Sequence, residues 1–154
     1  MRTLLLTVLL STLGAFSWAA SAQETLDFYK QELSSFPAKR NQQTRAYAQT
    51  LADGLETWVL QNEKQTSVQT ALLLQARLLN QAQENGAAFV TLLQLRYLFP
   101  QTDMALLTPV LEETLSGLDK NSRDLASQLF TKGPSDKATN AEKKEAETLY
   151  AFSK

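Results

Sequence analysis

Apolar residues recur at steps of three and four along most of the chain beyond residue 22, the spacing of helices that bury one face. Residues 23–36 set Leu26, Tyr29, Leu33 and Phe36 at such steps, and Pro37 closes the run because the residue before a proline is pushed out of the helical region. A second helix is predicted over 38–61, with Pro37 suited to its first turn. It opens polar and basic, then places Tyr47, Leu51, Leu55 and Trp58 in a stripe, with Ala48, Ala52 and Val59 beside it. Gly54 inside this helix costs about 1 kcal/mol relative to alanine. Either another helix approaches closely there, or the position is a tolerated weak spot.

The segment 66–100 reads as a helical hairpin. Thr66 and Gln69 have the spacing of a capping box. Val68, Ala71, Leu72, Leu78, Leu79 and Ala82 then recur at helical intervals, and Glu84-Asn85-Gly86 stops the run, since asparagine and glycine tolerate the left-handed conformation that ends helices. Residues 87–99 are apolar nearly all round, from Ala88, Phe89 and Val90 to Tyr97, Leu98 and Phe99, and Pro100 ends them. A helix apolar on every side must be covered on every side. At 1.5 Å per residue this one spans roughly 20 Å, short of roughly 30 Å of hydrocarbon. It is therefore expected to be the buried centre of a bundle, wrapped by the other helices.

Gln101-Thr102-Asp103 supplies a turn and cap residues for a helix from Met104. Thr108-Pro109 either kinks that helix or divides it, with Thr108 as a new cap. Asn121-Ser122 are expected to cap a further helix whose Leu125, Leu129 and Phe130 face inward. Lys132-Gly133-Pro134-Ser135 is a boundary. The polar tail 134–154, with Leu149, Tyr150 and Phe152 near its end, is expected to hold at most one loosely docked helix. Strand-like alternation is absent. The expected fold is all-α: a small helical bundle or short helical-hairpin array of five to six helices over 23–133, preceded by a signal peptide over 1–22. Ala76, Ala88 and Pro100 stand at the spacings where tetratricopeptide repeats carry two small residues and a proline, and Pro134 follows one period of about 34 residues later. Val110, Gln42 and Thr66 depart from that pattern. The segment resembles such repeats over 69–134 at most, and chance agreement in a Leu/Ala-rich helical chain is the reading adopted.

The leader rests on Arg2, an apolar stretch over 4–16 broken by Gly14, and the small-x-small ending Ala20-Ser21-Ala22, which together predict cleavage after Ala22. An uncleaved membrane anchor is the alternative. Removing Arg2 with the leader leaves 14 basic and 16 acidic side chains, a net charge of −2. That is no footprint for nucleic acid. The chain has no cysteine, so an export route that permits disulfides is not used for them.

Histidine is absent as well. That excludes Ser-His-Asp and Cys-His nucleophiles, zinc held by nitrogen or sulfur, and haem on histidine. No glycine-rich phosphate loop and no calcium-loop spacing occurs. No cofactor and no metal site is expected. Asp53 and Glu56 lie one turn apart near Trp58, but two carboxyls on one helix face point the same way. They are read as a solvated acidic face. The pair Gln75 and Arg77 is echoed by Gln94 and Arg96 within a repeated Leu-Leu-Gln-x-Arg. If the two helices pack antiparallel, two guanidinium groups could converge on a carboxylate or phosphate; the plainer reading lays each arginine stem along apolar neighbours. Trp58 and Tyr47 complete the candidate binding set, as aromatics that would mark a partner surface if exposed.

These observations lead to the expectation of an exported, non-catalytic module for protein–protein interaction, accessory or chaperone-like, periplasmic or secreted. Its partner would be another exported or envelope protein, with membrane contact only through the signal peptide. The alternative is a helical bundle that binds a small ligand and reads its acidic head group with Arg77 or Arg96.

Overall fold

The computed structural model describes residues 21–62 and 66–132. These form six helices: α1 (Ala22–Ser35), α2 (Gln42–Gln61), α3 (Val68–Ala82), α4 (Asn85–Leu98), α5 (Met104–Ser116) and α6 (Lys120–Lys132). No strand occurs among the described residues, so the all-α expectation holds, with the helix number at its upper value. Most of the predicted leader and the 134–154 tail, with Leu149, Tyr150 and Phe152, lie outside the described residues.

Local side-chain chemistry sets most of the helix starts. Ser21 and Glu24 form a reciprocal capping box at α1. The predicted cut after Ala22 would remove that cap. Asn41 and Thr44 form another at α2. That box moves the start of α2 from the expected 38 to Gln42 and leaves Pro37 in an irregular connection. Asp103 accepts from Ala105 N–H at α5, and Asp119, rather than Asn121-Ser122, caps α6 by accepting from both of those backbone N–H groups. The expected Thr66–Gln69 box does not form. The α3 helix starts at Val68, and the Gln69 amide instead donates to Thr102 Oγ1 at 3.0 Å, tying the start of α3 to the α4–α5 turn.

The hairpin turn also differs from expectation. The left-handed residue is Gln83 (φ 67°, ψ 22°), and the next helix has already begun at Asn85. Gln83 N–H bonds Asn80 C=O and Glu84 N–H bonds Leu79 C=O, the paired bonds of a Schellman ending. Pro109 neither starts nor divides a helix: α5 runs through it. Its missing N–H costs the helix one internal bond.

The centre of the bundle is α3, not the segment 87–99. Ten of the 15 residues of α3 are buried, against six of 14 in α4. The α3 helix packs on α1, α2, α4 and α5. Leu72 and Leu78 of α3 meet Leu55 of α2, Leu92 and Leu95 of α4, and Leu107 of α5 in the fully buried core. Each such side chain stabilises the fold by about 2 kcal/mol on leaving water. At its far end α4 is open, with Leu98 56% exposed. Two polar side chains lie fully inside the core. Asn80 Nδ2 donates to Thr114 Oγ1 at 2.9 Å, and Thr114 Oγ1 in turn contacts Asn80 Oδ1 at 3.1 Å and Val110 C=O at 2.7 Å.

Gly54 marks a close approach. A Cβ there would stand 2.6 Å from Tyr29 Oη, so α1 rests its tyrosine on the surface of α2. Burial raises the Tyr29 phenol above its ordinary pKa.

Candidate functional site

A groove of about 430 Å³ runs where α2, α3 and α4 meet. From α2 it takes Gln49, Asp53, Glu56, Thr57 and Leu60, which share one helix face by their spacing of three and four. Gln75 and Leu79 form its floor from α3, and Ala87, Val90 and Thr91 its opposite wall from α4. Leu79, Gln75 and Thr91 are buried, while Asp53, Thr57 and Leu60 are exposed at the rim. The lining is mixed: the α2 wall is polar, carries two carboxyls and ends at Leu60, while Leu79 on the floor and Ala87 and Val90 on the opposite wall are apolar. Among the described residues no lysine or arginine lines it. Both carboxyls stand on α2, and the opposite wall offers none.

Hydrogen bonds orient the polar side. Gln49 Nε2 donates to Asp53 Oδ1 at 2.8 Å. A carboxylate only accepts, so this contact fixes which end of the Gln49 amide is nitrogen. The other end, Oε1, is buried and has no partner among the described residues. Thr57 Oγ1 donates to Asp53 C=O and Thr91 Oγ1 to Ala87 C=O, each at 3.0 Å. Both hydroxyl protons are thereby committed to helix backbone.

The six candidate residues do not share one place. Gln75 lies in the groove just described. Arg77 is exposed and lines a separate open groove of about 230 Å³, with Leu33, Gln81, Pro109, Val110 and Glu113. Glu113 is held there by Arg40, whose Nη2 stands 2.7 Å from Oε1. Arg40 also donates to Gln81 Oε1 and to Asn80 C=O. Arg96 is engaged elsewhere: its guanidinium lies 4.8 Å from the centre of the Phe130 ring, and Nη1 is 3.1 Å from Met104 Sδ. Antiparallel pairing explains the separation. With the turn at Gln83-Glu84, Ala71 is level with Arg96, which leaves Arg77 roughly 9 Å further along α3. Gln94 is half-buried and lines neither groove. Trp58 is half-buried against the core, and its carbonyl accepts from Asn62. Tyr47 is exposed. Its ring stacks on Phe36 with centroids 5.9 Å apart, and its hydroxyl donates to Glu32 at 2.6 Å. That bond raises the phenol pKa above its ordinary value.

The sequence reading missed Gln49, Thr57 and Thr91 as groove residues, and it took Asp53 and Glu56 for a plain solvated face. The spacing of 49, 53, 56, 57 and 60 was the available signal: a polar face interrupted by Leu60. Among the described residues no cluster of histidine, cysteine or acidic side chains could hold a metal ion, and no helix is long and apolar enough to cross a membrane. Compared with protein families, curated proteins and solved structures, the chain matches none.

Proposed function

We propose that this chain is an exported, non-catalytic helical module that binds another exported or envelope protein, and that the α2–α3–α4 groove receives a segment of that partner. The observation that carries the reading is the mixed lining of the groove, polar along α2 and partly apolar on α3 and α4, open to solvent, with Leu60 exposed at its edge. Such a surface suits an amphipathic segment laid along it. The absence of histidine and cysteine, and the placement of both groove carboxyls on a single helix, support a binding role over a catalytic one.

The test is capture of partners from the source extract by the full chain, compared with a Leu60→Gln/Val90→Gln double variant. Both positions lie outside the buried core, so the variant keeps its fold by circular dichroism. The expected result is one protein retained in stoichiometric amount by the parent chain and lost by the variant. Equal retention by the two, or recovery of a stoichiometric metabolite with no protein, overturns the reading. A second reading, a small ligand with an acidic head group, is favoured by Arg77, which faces its open groove beside the apolar side chains of Leu33, Pro109 and Val110. Replacing Arg77 with glutamine would then abolish retention of the metabolite.

A further inference from the structure

We infer that Met104 is a sulfoxidation site, oxidised by a peroxide, and that Arg96 is the residue that holds the sulfoxide oxygen. The pair joins the end of α4 to the start of α5, lines neither groove, and is independent of the partner reading above. Sulfur chemistry in this chain has few places to go: there is no cysteine, and the methionines are Met1 and Met104. Met104 opens α5 and is 44% exposed, which admits a small oxidant to its side chain. Arg96, in the last turn of α4, donates from Nη1 to Met104 Sδ at 3.1 Å. A thioether is a weak acceptor. The other contact of the guanidinium is the Phe130 ring, 4.8 Å away at its centre. Among the described residues no carboxylate pairs with Arg96, and its buried Nε has no partner. This half-buried cation is short of strong acceptors.

Oxidation supplies one. With hydrogen peroxide, a sulfur electron pair attacks one peroxide oxygen. The S–O bond forms as the O–O bond breaks, the proton of the transferred oxygen passes through solvent to the departing hydroxide, and water leaves. Sulfur is oxidised to the sulfoxide, and the peroxide is reduced. The new oxygen is a strong acceptor, one bond from an atom that already touches Nη1. Methionine is unbranched and turns freely about the bonds leading to its sulfur, so the oxygen reaches the guanidinium by side-chain rotation. The resulting bond is charge-assisted, a class roughly twice as strong as neutral pairs. A sulfoxide elsewhere adds polarity and disrupts packing. Here a cation is in place to donate to it, so Arg96 offsets that cost and keeps α5 joined to α4.

The test is hydrogen peroxide added to the full chain. Peptide mass spectrometry follows the addition of one oxygen to Met104, and circular dichroism gives the thermal midpoint. A Met104→Leu chain treated in the same way gives the contribution of every other residue, Met1 included, and is subtracted. Oxidation is expected to leave the parent midpoint nearly unchanged and to lower that of Arg96→Leu by about 4 °C. Equal shifts in the two chains, or no oxygen added to Met104 in the folded parent, overturn the inference. Arg96→Leu also uncovers Phe130, so the guanidinium protons of the parent chain supply a second readout that needs no variant. Oxidation should move the Nη1 proton resonance downfield and slow its exchange with water, and a methionine sulfoxide reductase should reverse both changes. An Nη1 resonance unaltered by oxidation overturns the inference even where the midpoints differ.

Discussion

Asn80 and Thr114 show what a single residue can hide. Asn80 sits in a helix of leucines and alanines, where one polar position reads as the solvent side of an amphipathic pattern. The structure buries it fully and satisfies it through Thr114 and the Val110 carbonyl. A pair this deep stabilises only while both members are present. Asn80→Ala is expected to cost about 2 kcal/mol in urea unfolding, through the lost bonds and the void beside Thr114. Asn80→Leu combined with Thr114→Val should recover part of that loss, because no polar group is then left unpaired. A double variant less stable than Asn80→Ala would contradict this account. Gly54 was more legible: a glycine in mid-helix has few reasons to be there, and one of the two on offer, close approach, is what Tyr29 provides. The Gln-x-Arg echo misled because matching short motifs on two helices says nothing of their level along the hairpin. Residue-scale reading of the groove failed for a related reason. Its lining residues come from helices remote in sequence, and the unpaired Gln49 oxygen exists only in three dimensions.

Element boundaries were legible where a cap lies next to the helix that it starts. They were illegible where a side chain found a distant partner. Asp103 belongs to the first kind, and Gln69, drawn off to Thr102, to the second. Asp119 at α6 gives a boundary that can be tested by pH. Its carboxylate accepts from the Ser122 hydroxyl first, then from the Ser122 and Asn121 backbone N–H groups, and these bonds lower its pKa from the ordinary value. A depressed folded-state pKa means that the stabilisation is fully present above the unfolded pKa, near 4. It is lost as pH falls through the folded value. Asp119→Ala should therefore lower the thermal midpoint of α6, read by backbone amide resonances, at pH 7. The gap to the parent should narrow steadily below about pH 4. Asp27, also lowered by side-chain bonds from Gln23 and Lys30, titrates in both proteins and cancels from the comparison. A gap independent of pH down to full protonation would show that the carboxylate charge has no part in holding α6.

At the scale of the whole molecule, fold class followed from periodicity, because apolar steps of three and four admit little besides packed helices. The choice of centre did not follow. Uniform apolarity pointed to 87–99, yet α3 occupies the middle although Gln69, Gln75, Arg77, Asn80 and Gln81 interrupt its pattern. Arg77 points to solvent, and the other four are accommodated singly, by Thr102, by the groove, by Thr114 and by Arg40, while α4 leaves Leu98 in water. Burial of a helix thus depends on how many neighbours surround it, a property of topology that no single segment encodes. The arrangement implies a graded stability. The α3 helix has packed helices on several sides, whereas α6 buries only Ala126 and Phe130. Amides of α3 should exchange with solvent only on global unfolding, and those of α6 through a cheaper local opening. Phe130 meets Phe89 with the rings tilted and their centroids 6.4 Å apart, and it lies under the Arg96 guanidinium, so Phe130→Ala should accelerate exchange throughout α6 and leave α3 less affected. Leu72→Ala, in the fully buried centre, should cost about 2–5 kcal/mol and accelerate the slowest amides of α3. Equal protection of α3 and α6 in the parent chain would place the centre of the bundle elsewhere.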